Sequence, residues 1–287
     1  MNNHLHVLVR LDPERVKEWS DEEVARRWGR LFPPRGKGRE VLEVSTAWVE
    51  DRLRHPEWIG QARERLQSLG WFMKCLKEPL ARMVNREEET RGAFFEARFK
   101  SIAILDDEAL LATCAYIDLN PVAAGVVDRP EVAEHTSIKQ RVDHVQAHGE
   151  GELESLKAAE VGSVAACAVS SGRDEEHWLC PIQDRTDNQG DARREGMVKG
   201  FSLGSYLLLV DYSGRLFRRG KGRISRELAS VFTRLGIDGA RWEQWLKALR
   251  QGRFQGRVFA TSRDRLNDAK ALLGVQRLPN LCGCLAR

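Results

Sequence analysis

The first apolar segment of the chain alternates with polar residues and predicts a β-strand over residues 3–9, NHLHVLV. Successive side chains of a strand point to opposite faces, so His4 and His6 share one face while Leu5 lies on the other. Two imidazoles held side by side on a strand suit a divalent metal ion. A pair of solvated edge histidines gives the same pattern, so this segment alone leaves both interpretations open.

A second segment, residues 110–121, has the pattern of a helix. It follows three acids at positions 106–108, which favour the first turn of a helix, and we expect it to end at Pro121. Tyr116 and Asn120 are four residues apart and therefore share a helix face. A phenol and an amide on one face suit a nucleophile and a further metal ligand. A core tyrosine followed by an Asn-Pro stop signal is the other interpretation.

Residues 94–100, FFEARFK, also alternate and predict another strand, with the aromatic and charged side chains on opposite faces. If its polar face adjoins the candidate site, Arg98 and Lys100 would hold a nucleic-acid backbone. The alternative is an exposed strand face that only keeps the protein in solution.

The last third of the chain is predicted to be helical. Ser202 is placed to cap a helix that starts at residue 203 and ends near Gly214 or continues toward Gly220. Tyr206 and Tyr212 have apolar neighbours in this helix, so we expect them to pack inside a helical bundle. Further helices are predicted over residues 226–235, 240–249 and 263–273.

Charge is unevenly distributed along the 287 residues. Residues 1–150 contain 23 Lys+Arg against 26 Asp+Glu, residues 151–200 contain 6 against 10, and residues 201–287 contain 17 against 6. An excess this large in the last third indicates an anionic partner, most simply nucleic acid. A basic run interleaved with Phe217 suits phosphate contacts and base stacking, although a solvated helix end has the same composition. The predicted DNA-contacting cations of this run are Arg215, Arg218, Arg219, Lys221 and Arg223.

These patterns predict three parts: residues 1–148 with the candidate site, an acidic linker over 149–200, and a basic helical domain over 201–287. No apolar run approaches the ~20 residues that span a bilayer, so no membrane partner is expected. The six cysteines form no C-x₂-C pair, which suits reduced thiols and favours a cytoplasmic location.

Four segments in the same order resemble the single-tyrosine HUH transposases, in particular the REP-associated tyrosine transposase group. Residues 3–9 resemble that family's MPNHVHLLV strand, and residues 92–101, GAFFEARFKS, resemble its G-x-[LF]-[WF]-Q-x-R-F-K-S segment. Residues 116–127, YIDLNPVAAGVV, resemble its YIELNPVRAGLV, and residues 72–85 are similar to the intervening helix. The resemblance covers roughly residues 1–11 and 71–142.

This resemblance implies both a fold and a chemistry. The expected class is α+β, a remnant of a ferredoxin-like antiparallel sheet with helices, followed by the basic helical domain. In this family a tyrosine hydroxyl attacks single-stranded DNA, forms a 5′-phosphotyrosine and frees a 3′-OH that later rejoins the strands. Carried onto this chain, Tyr116 is the nucleophile, His4 and His6 hold Mg²⁺ or Mn²⁺, and Asn120 is the third ligand. Single-stranded or hairpin DNA is the implied substrate, and a monomer and a homodimer are both open.

The chain also departs from the family. The family's histidine strand follows two other strands and a helix, whereas only three residues precede His4 here, so we expect the native protein to carry further N-terminal residues. The alternative function is therefore a catalytically inactive, truncated or domesticated relative that only binds DNA. Residues 11–70 form an insertion without an expected catalytic role, and its tryptophans are expected to be core residues. They are Trp19, Trp28, Trp48 and Trp58.

Overall fold

The computed structural model describes residues 5–143, 179–182, 185–186, 193–194, 196–199, 201, 203–219, 237–250 and 256–281, with backbone only for 185–186, 193–194 and 217–219. The protein is mostly helical, with 59% helix and 3% strand. Its residues group into two compact units. Unit 1 comprises Met1–His6 with Ser101–Arg287, and unit 2 comprises Val7–Lys100.

Three helices of unit 2 begin where the sequence supplies a serine cap. Ser20, Ser45 and Ser68 each accept a backbone N–H from the first turn of the following helix, at oxygen–nitrogen distances of 3.1, 3.2 and 3.4 Å. Such caps satisfy N–H groups that have no partner inside the helix. The helices of unit 2 are α1 (Pro13–Glu18), α2 (Asp21–Leu31), α3 (Thr46–Leu53), α4 (Pro56–Leu66) and α5 (Leu69–Glu87), and α2, α3 and α5 carry these serine caps.

The core of unit 2 lies between α2, α3 and α4. Its fully buried members are small or branched, and the four tryptophans of residues 11–70 pack around them, as expected. The Arg63 guanidinium donates to the carbonyl oxygens of Val16 and Trp19, both at 2.7 Å, and so ties α4 to the end of α1. The buried members are Val24, Ala25, Val49, Ile59 and Ala62.

Unit 1 is arranged around one buried helix. Its described elements are β1 (Ala103–Ile104), α6 (Asp107–Ala123), a 3₁₀ turn (Pro130–Val132), a helical segment at 137–143, β2 (Arg185–Thr186), β3 (Arg193–Arg194), α7 (Leu203–Arg219), α8 (Gly239–Arg250), β4 (Val258–Phe259) and α9 (Arg263–Leu273). Helix α6 packs against both α7 and α8. The buried residues of α6, most of them apolar, lie on almost every side of the helix, which is the pattern of a helix inside a core.

Two short strand pairs complete the described part of unit 1. Strand β1 pairs in parallel with β4, with Ala103 opposite Val258 and Ile104 opposite Phe259. Strands β2 and β3 pair in antiparallel fashion. Each strand has two residues, so neither pair forms an extended sheet.

The expected α+β class with a ferredoxin-like antiparallel sheet is wrong. Helices dominate the protein, and within the described ranges the strands form only these two-residue pairs. Residues 5–12 contain no strand, and Leu5 and Val7 are 56% and 42% exposed. An alternating pattern makes a strand only where a second strand supplies ladder hydrogen bonds, and this segment has none in the described structure.

The second predicted strand, residues 94–100, is also absent. This segment consists of bends and irregular chain, and of its residues only Phe95 is even half-buried. The segment and the chain just before it are bound by side chains of α5 and not by a neighbouring strand. Asn85 Nδ2 donates to the Gly92 carbonyl at 3.0 Å, and Lys77 Nζ donates to the Ala97 carbonyl at 3.0 Å. The alternation therefore did not separate a buried face from an exposed one.

The helix predictions agree better with the structure. Helix α6 continues two residues beyond its expected end at Pro121 and closes with a bond from the Ala124 N–H to the Asn120 carbonyl. Helices α7, α8 and α9 match the predictions that start at residues 203, 240 and 263 within one residue. The predicted helix over 226–235 lies outside the described residues, as do the predicted domain boundaries at 148 and 200.

None of the helices among the described residues combines the length and the apolar character that crossing a bilayer requires.

Candidate functional site

The candidate site is carried by α6, whose position is fixed at its first turn. Asp106 is the N-cap, and its Oδ1 accepts the Ala109 N–H at 2.9 Å. The same carboxylate accepts the backbone N–H groups of Thr261 and Ser262, at 2.7 and 3.1 Å, and the Thr261 hydroxyl at 2.8 Å. One aspartate thus joins the start of α6 to the start of α9.

Three of the four residues predicted from the sequence meet on one side of α6. The His6 and Tyr116 rings lie edge to face, with centroids 5.4 Å apart and planes at 72°. Asn120, one turn after Tyr116, forms a side-chain hydrogen bond with the phenol. Tyr116 therefore contacts both His6, 110 positions earlier in the sequence, and Asn120, four positions later.

The Tyr116 phenol is in a buried environment. Its side chain is 8% exposed, and burial raises the pKa of Tyr116 above its usual range, while the hydrogen bond with Asn120 opposes that rise. Burial disfavours the phenolate, and an N–H donor to the phenol oxygen favours it. The neutral phenol is therefore the resting form at neutral pH.

The predicted cation site is described only in part. His6 and Asn120, two of its three donors, both contact Tyr116, and an imidazole with an amide oxygen fits a divalent cation. His4 lies outside the described residues. Among the residues that the structure does describe, no group of three His, Cys, Asp or Glu side chains is placed to hold a metal ion.

The opposite side of α6 contains a polar cluster that the sequence reasoning missed. Asp118 is 2% exposed and accepts hydrogen bonds from the Ser137 hydroxyl and from the Tyr206 hydroxyl. These bonds link α6 to the helical segment at 137–143 and to α7. The sequence feature that could have revealed this cluster is a lone carboxylate between Ala115 and Leu119 in an otherwise apolar run, because a buried charge needs hydrogen-bond partners.

Burial sets the protonation of this cluster. It raises the pKa of Asp118, against the opposing effect of the hydrogen bonds from Ser137 and Tyr206 and of the nearby Arg141. It also raises the pKa of Tyr206 well above its usual range, with the adjacent Asp118 carboxylate adding to the effect. Burial together with Asp118 raises the pKa of the Cys114 thiol to about 12, so this thiol is protonated and unreactive at neutral pH.

The predicted DNA-contacting residues fall into two groups. Arg98 and Lys100 are exposed and belong to unit 2, whereas the Tyr116 cluster belongs to unit 1. Arg215 is exposed and pairs with Asp211 one turn earlier on α7, at 2.8 Å. Arg218 and Arg219 lie at the end of α7 with undescribed side chains, and Lys221 and Arg223 lie outside the described residues.

Comparisons with protein-family models, with curated proteins and with solved structures each gave no match.

Proposed function

We propose that this protein nicks and rejoins single-stranded DNA, with Tyr116 as the nucleophile and with a divalent cation, Mg²⁺ or Mn²⁺. The observation that carries the proposal is the contact of Tyr116 with both His6 and Asn120. The sequence motifs single out these three residues independently of the fold. The proposal does not depend on a ferredoxin-like sheet, which the described part of the chain does not contain.

Each residue has a chemical role in this proposal. The Tyr116 oxygen attacks phosphorus, the bond from phosphorus to the 3′ oxygen breaks, and the phenol proton ends on that 3′ oxygen. The reverse attack by a 3′-OH on the phosphotyrosine rejoins the strand, so the energy of the broken bond is retained. Asn120 donates to the phenol oxygen and favours the developing phenolate, while His6 orients the ring by its edge-to-face contact.

His6 and Asn120, with His4, would hold the cation. When bound, it would polarise the scissile phosphate and compensate for the weak nucleophilicity of a neutral phenol.

The second candidate is a protein that binds DNA without cleaving it. It is favoured by the burial of Tyr116 and by the raised pKa of its phenol, because a nucleophile must reach a phosphate. The excess of cations in residues 201–287 supports DNA binding under either candidate.

Trapping of the covalent adduct separates the two candidates. The full chain is incubated with Mn²⁺ and an end-labelled hairpin DNA that carries a single-stranded flank, and the products are separated on a denaturing gel. We expect a DNA-linked protein band that Tyr116→Phe and chelation of the cation both abolish.

Tyr212→Phe is the matched control. The chain contains three tyrosines, and Tyr212 is buried in α7 and belongs to none of the sequence motifs. This variant should keep the adduct. DNA binding without any adduct, under conditions where the wild type is folded, would support the binding protein and reject Tyr116 as a nucleophile.

A further inference from the structure

A cluster of aromatic and cationic side chains lies where α2, α4 and α5 meet in unit 2. The Trp71 ring has the Arg65 guanidinium carbon 4.7 Å from its centroid and the Lys74 ammonium nitrogen 4.5 Å from it. The rings of Trp28 and Phe32 approach Trp71 edge to face, with centroids 5.6 and 6.1 Å away. We call these five residues the aromatic–cationic patch.

Two other cations that contact aromatic rings in unit 2 are paired with carboxylates, whereas a third, Lys77 over Phe95, donates to the Ala97 carbonyl. Arg27 lies over Trp19 and also pairs with Glu23 at 2.6 Å, and Arg52 lies near two tryptophans and pairs with Asp51 at 3.0 Å. Within the described residues, neither Arg65 nor Lys74 has an acidic partner, and the Arg65 guanidinium donates its hydrogen bond to the Gln61 amide oxygen, at 3.4 Å. Two positive charges therefore converge on one ring without a neutralising carboxylate.

Most of the patch lies outside the core of its unit, and of its three rings only Trp28 packs against the buried cluster. Helix α5 has no buried residue, Lys74 is exposed, and Phe32 is 37% exposed. Trp71 is not among the side chains packed on the buried cluster of α2, α3 and α4. The Phe32 ring and the Lys74 ammonium are therefore accessible to solvent, and neither cation of the patch is neutralised by a carboxylate as Arg27 and Arg52 are.

We propose that the aromatic–cationic patch binds single-stranded nucleic acid. Phosphates supply the negative charge that Arg65 and Lys74 lack, and unpaired bases stack on exposed rings and on guanidinium planes. A duplex keeps its bases stacked on one another and would use only the charges. An acidic peptide would satisfy the cations but would leave the Phe32 and Trp71 rings without a stacking partner.

This inference is separate from the cleavage chemistry of Tyr116. It concerns equilibrium binding by unit 2, and it is measured without divalent cation, so that no strand is cut. Loss of the covalent adduct and loss of patch-dependent affinity are therefore distinguishable results.

The test is fluorescence anisotropy of a labelled oligothymidylate of about twenty nucleotides, titrated with the full chain at several salt concentrations. Lys74→Gln should weaken binding about three- to tenfold and lower the slope of log affinity against log salt by about 0.7, the value for one phosphate contact on a single strand. Trp71→Leu should weaken binding further, and Trp71→Phe should restore most of it, because a ring is still available for stacking.

Arg86→Gln is the matched control. Arg86 is exposed on the same helix, contacts no aromatic ring in the described structure, and lies about 18 Å from Lys74 along the helix axis. The Arg86→Gln substitution also removes one positive charge, and it should leave the affinity within about twofold of that of the wild type. Circular dichroism checks that each variant keeps its helices.

Three results would overturn the proposal. The first is an equal loss from Lys74→Gln and Arg86→Gln, which would indicate general charge attraction. The second is equal affinity for a duplex of the same length. The third is a Lys74-dependent affinity for polyglutamate that matches the affinity for the oligonucleotide.

Discussion

Asp118 illustrates how one residue can link distant parts of the protein. Its carboxylate lies inside unit 1, where it accepts hydroxyl hydrogen bonds from Ser137 and Tyr206, which are 19 and 88 residues further along the chain. Each bond ties another element to α6, the helix that also carries Tyr116. A buried carboxylate is tolerated only with such partners, so the cluster fixes how these elements pack.

The raised pKa of Asp118 leads to a prediction about stability and pH. The pKa of an aspartate carboxyl in an unfolded chain is about 3.9, and burial raises the pKa of Asp118 above that value in the folded state. The folded state therefore binds the proton more tightly, and the unfolding free energy falls as pH rises from about 4 through the folded pKa. Asp118→Asn stays neutral, so this fall should be absent from its urea midpoints measured across that range.

The variant also loses part of the hydrogen bonding to Ser137 and Tyr206. That loss lowers stability at every pH, so the slope with pH and not the absolute midpoint is the informative quantity. Asp107→Asn, an exposed acid of the same helix, is the control and should keep the slope of the wild type. A slope in Asp118→Asn equal to that of the wild type would contradict the raised pKa of Asp118.

Local spacing predicted one part of the candidate site. Tyr116 and Asn120 meet because residues four apart in a helix share a face, and this holds wherever the helix lies. The contact of His6 with Tyr116 depends on tertiary packing, and the motif resemblance was the sequence information that paired them. The partners of Asp118 could not be predicted, because nothing local identifies Ser137 or Tyr206.

At the scale of elements, helices were predictable and strands were not. Helix α9 begins at Ser262, whose hydroxyl accepts the Arg265 N–H, and ends at Gly274 with a φ of 63°. Both signals act within a few residues, so the sequence contains them in full. A strand is stabilised by a partner that can lie anywhere in the chain, and β1 pairs with β4, about 155 residues later.

Asp106 provides a test of how one cap positions two elements. Its carboxylate caps α6 and also accepts hydrogen bonds from Thr261 and Ser262 at the start of α9. Asp106→Ala should lower the unfolding free energy by about 2–4 kcal/mol, the sum expected for a lost cap and for N–H groups left without a charged acceptor. Urea denaturation followed by circular dichroism measures this change.

Asp107→Ala is the matched control for this prediction. Asp107 is the next residue in the first turn of α6, is exposed, and interacts mainly with the helix dipole. Its loss should cost about 0.3–1 kcal/mol. Equal effects of the two substitutions would mean that the bonds from Asp106 to the start of α9 contribute little.

At the scale of the whole molecule, charge and packing divide the chain differently. Composition separates an acidic stretch at 149–200 from a basic region at 201–287. The packing places α7 and α8 of that basic region against α6, and it groups residues 7–100 as a unit of their own. Charge reports on solvent and partners, whereas core formation follows the apolar faces of helices, which composition alone does not locate.

This division predicts the behaviour of a shortened chain. A chain ending at residue 148, the boundary suggested by composition, lacks α7, α8 and β4. Helix α6 would then expose apolar residues such as Leu111 and Leu119, and Asp118 would lose Tyr206. Hydrogen exchange followed by mass spectrometry should show rapid exchange throughout α6, while α2 and α4 keep the protection that their own core provides.

A chain ending at residue 281 is the control, because it retains every described element and should protect α6 as the full chain does. If α6 were equally protected in the chain ending at residue 148, its stability would come from residues 1–148 alone. The contacts with α7 and α8 would then be accessory, and the candidate site around Tyr116 would fold without the basic region. Rapid exchange in α6 would instead make residues 149–287 part of the structure that holds Tyr116 in place.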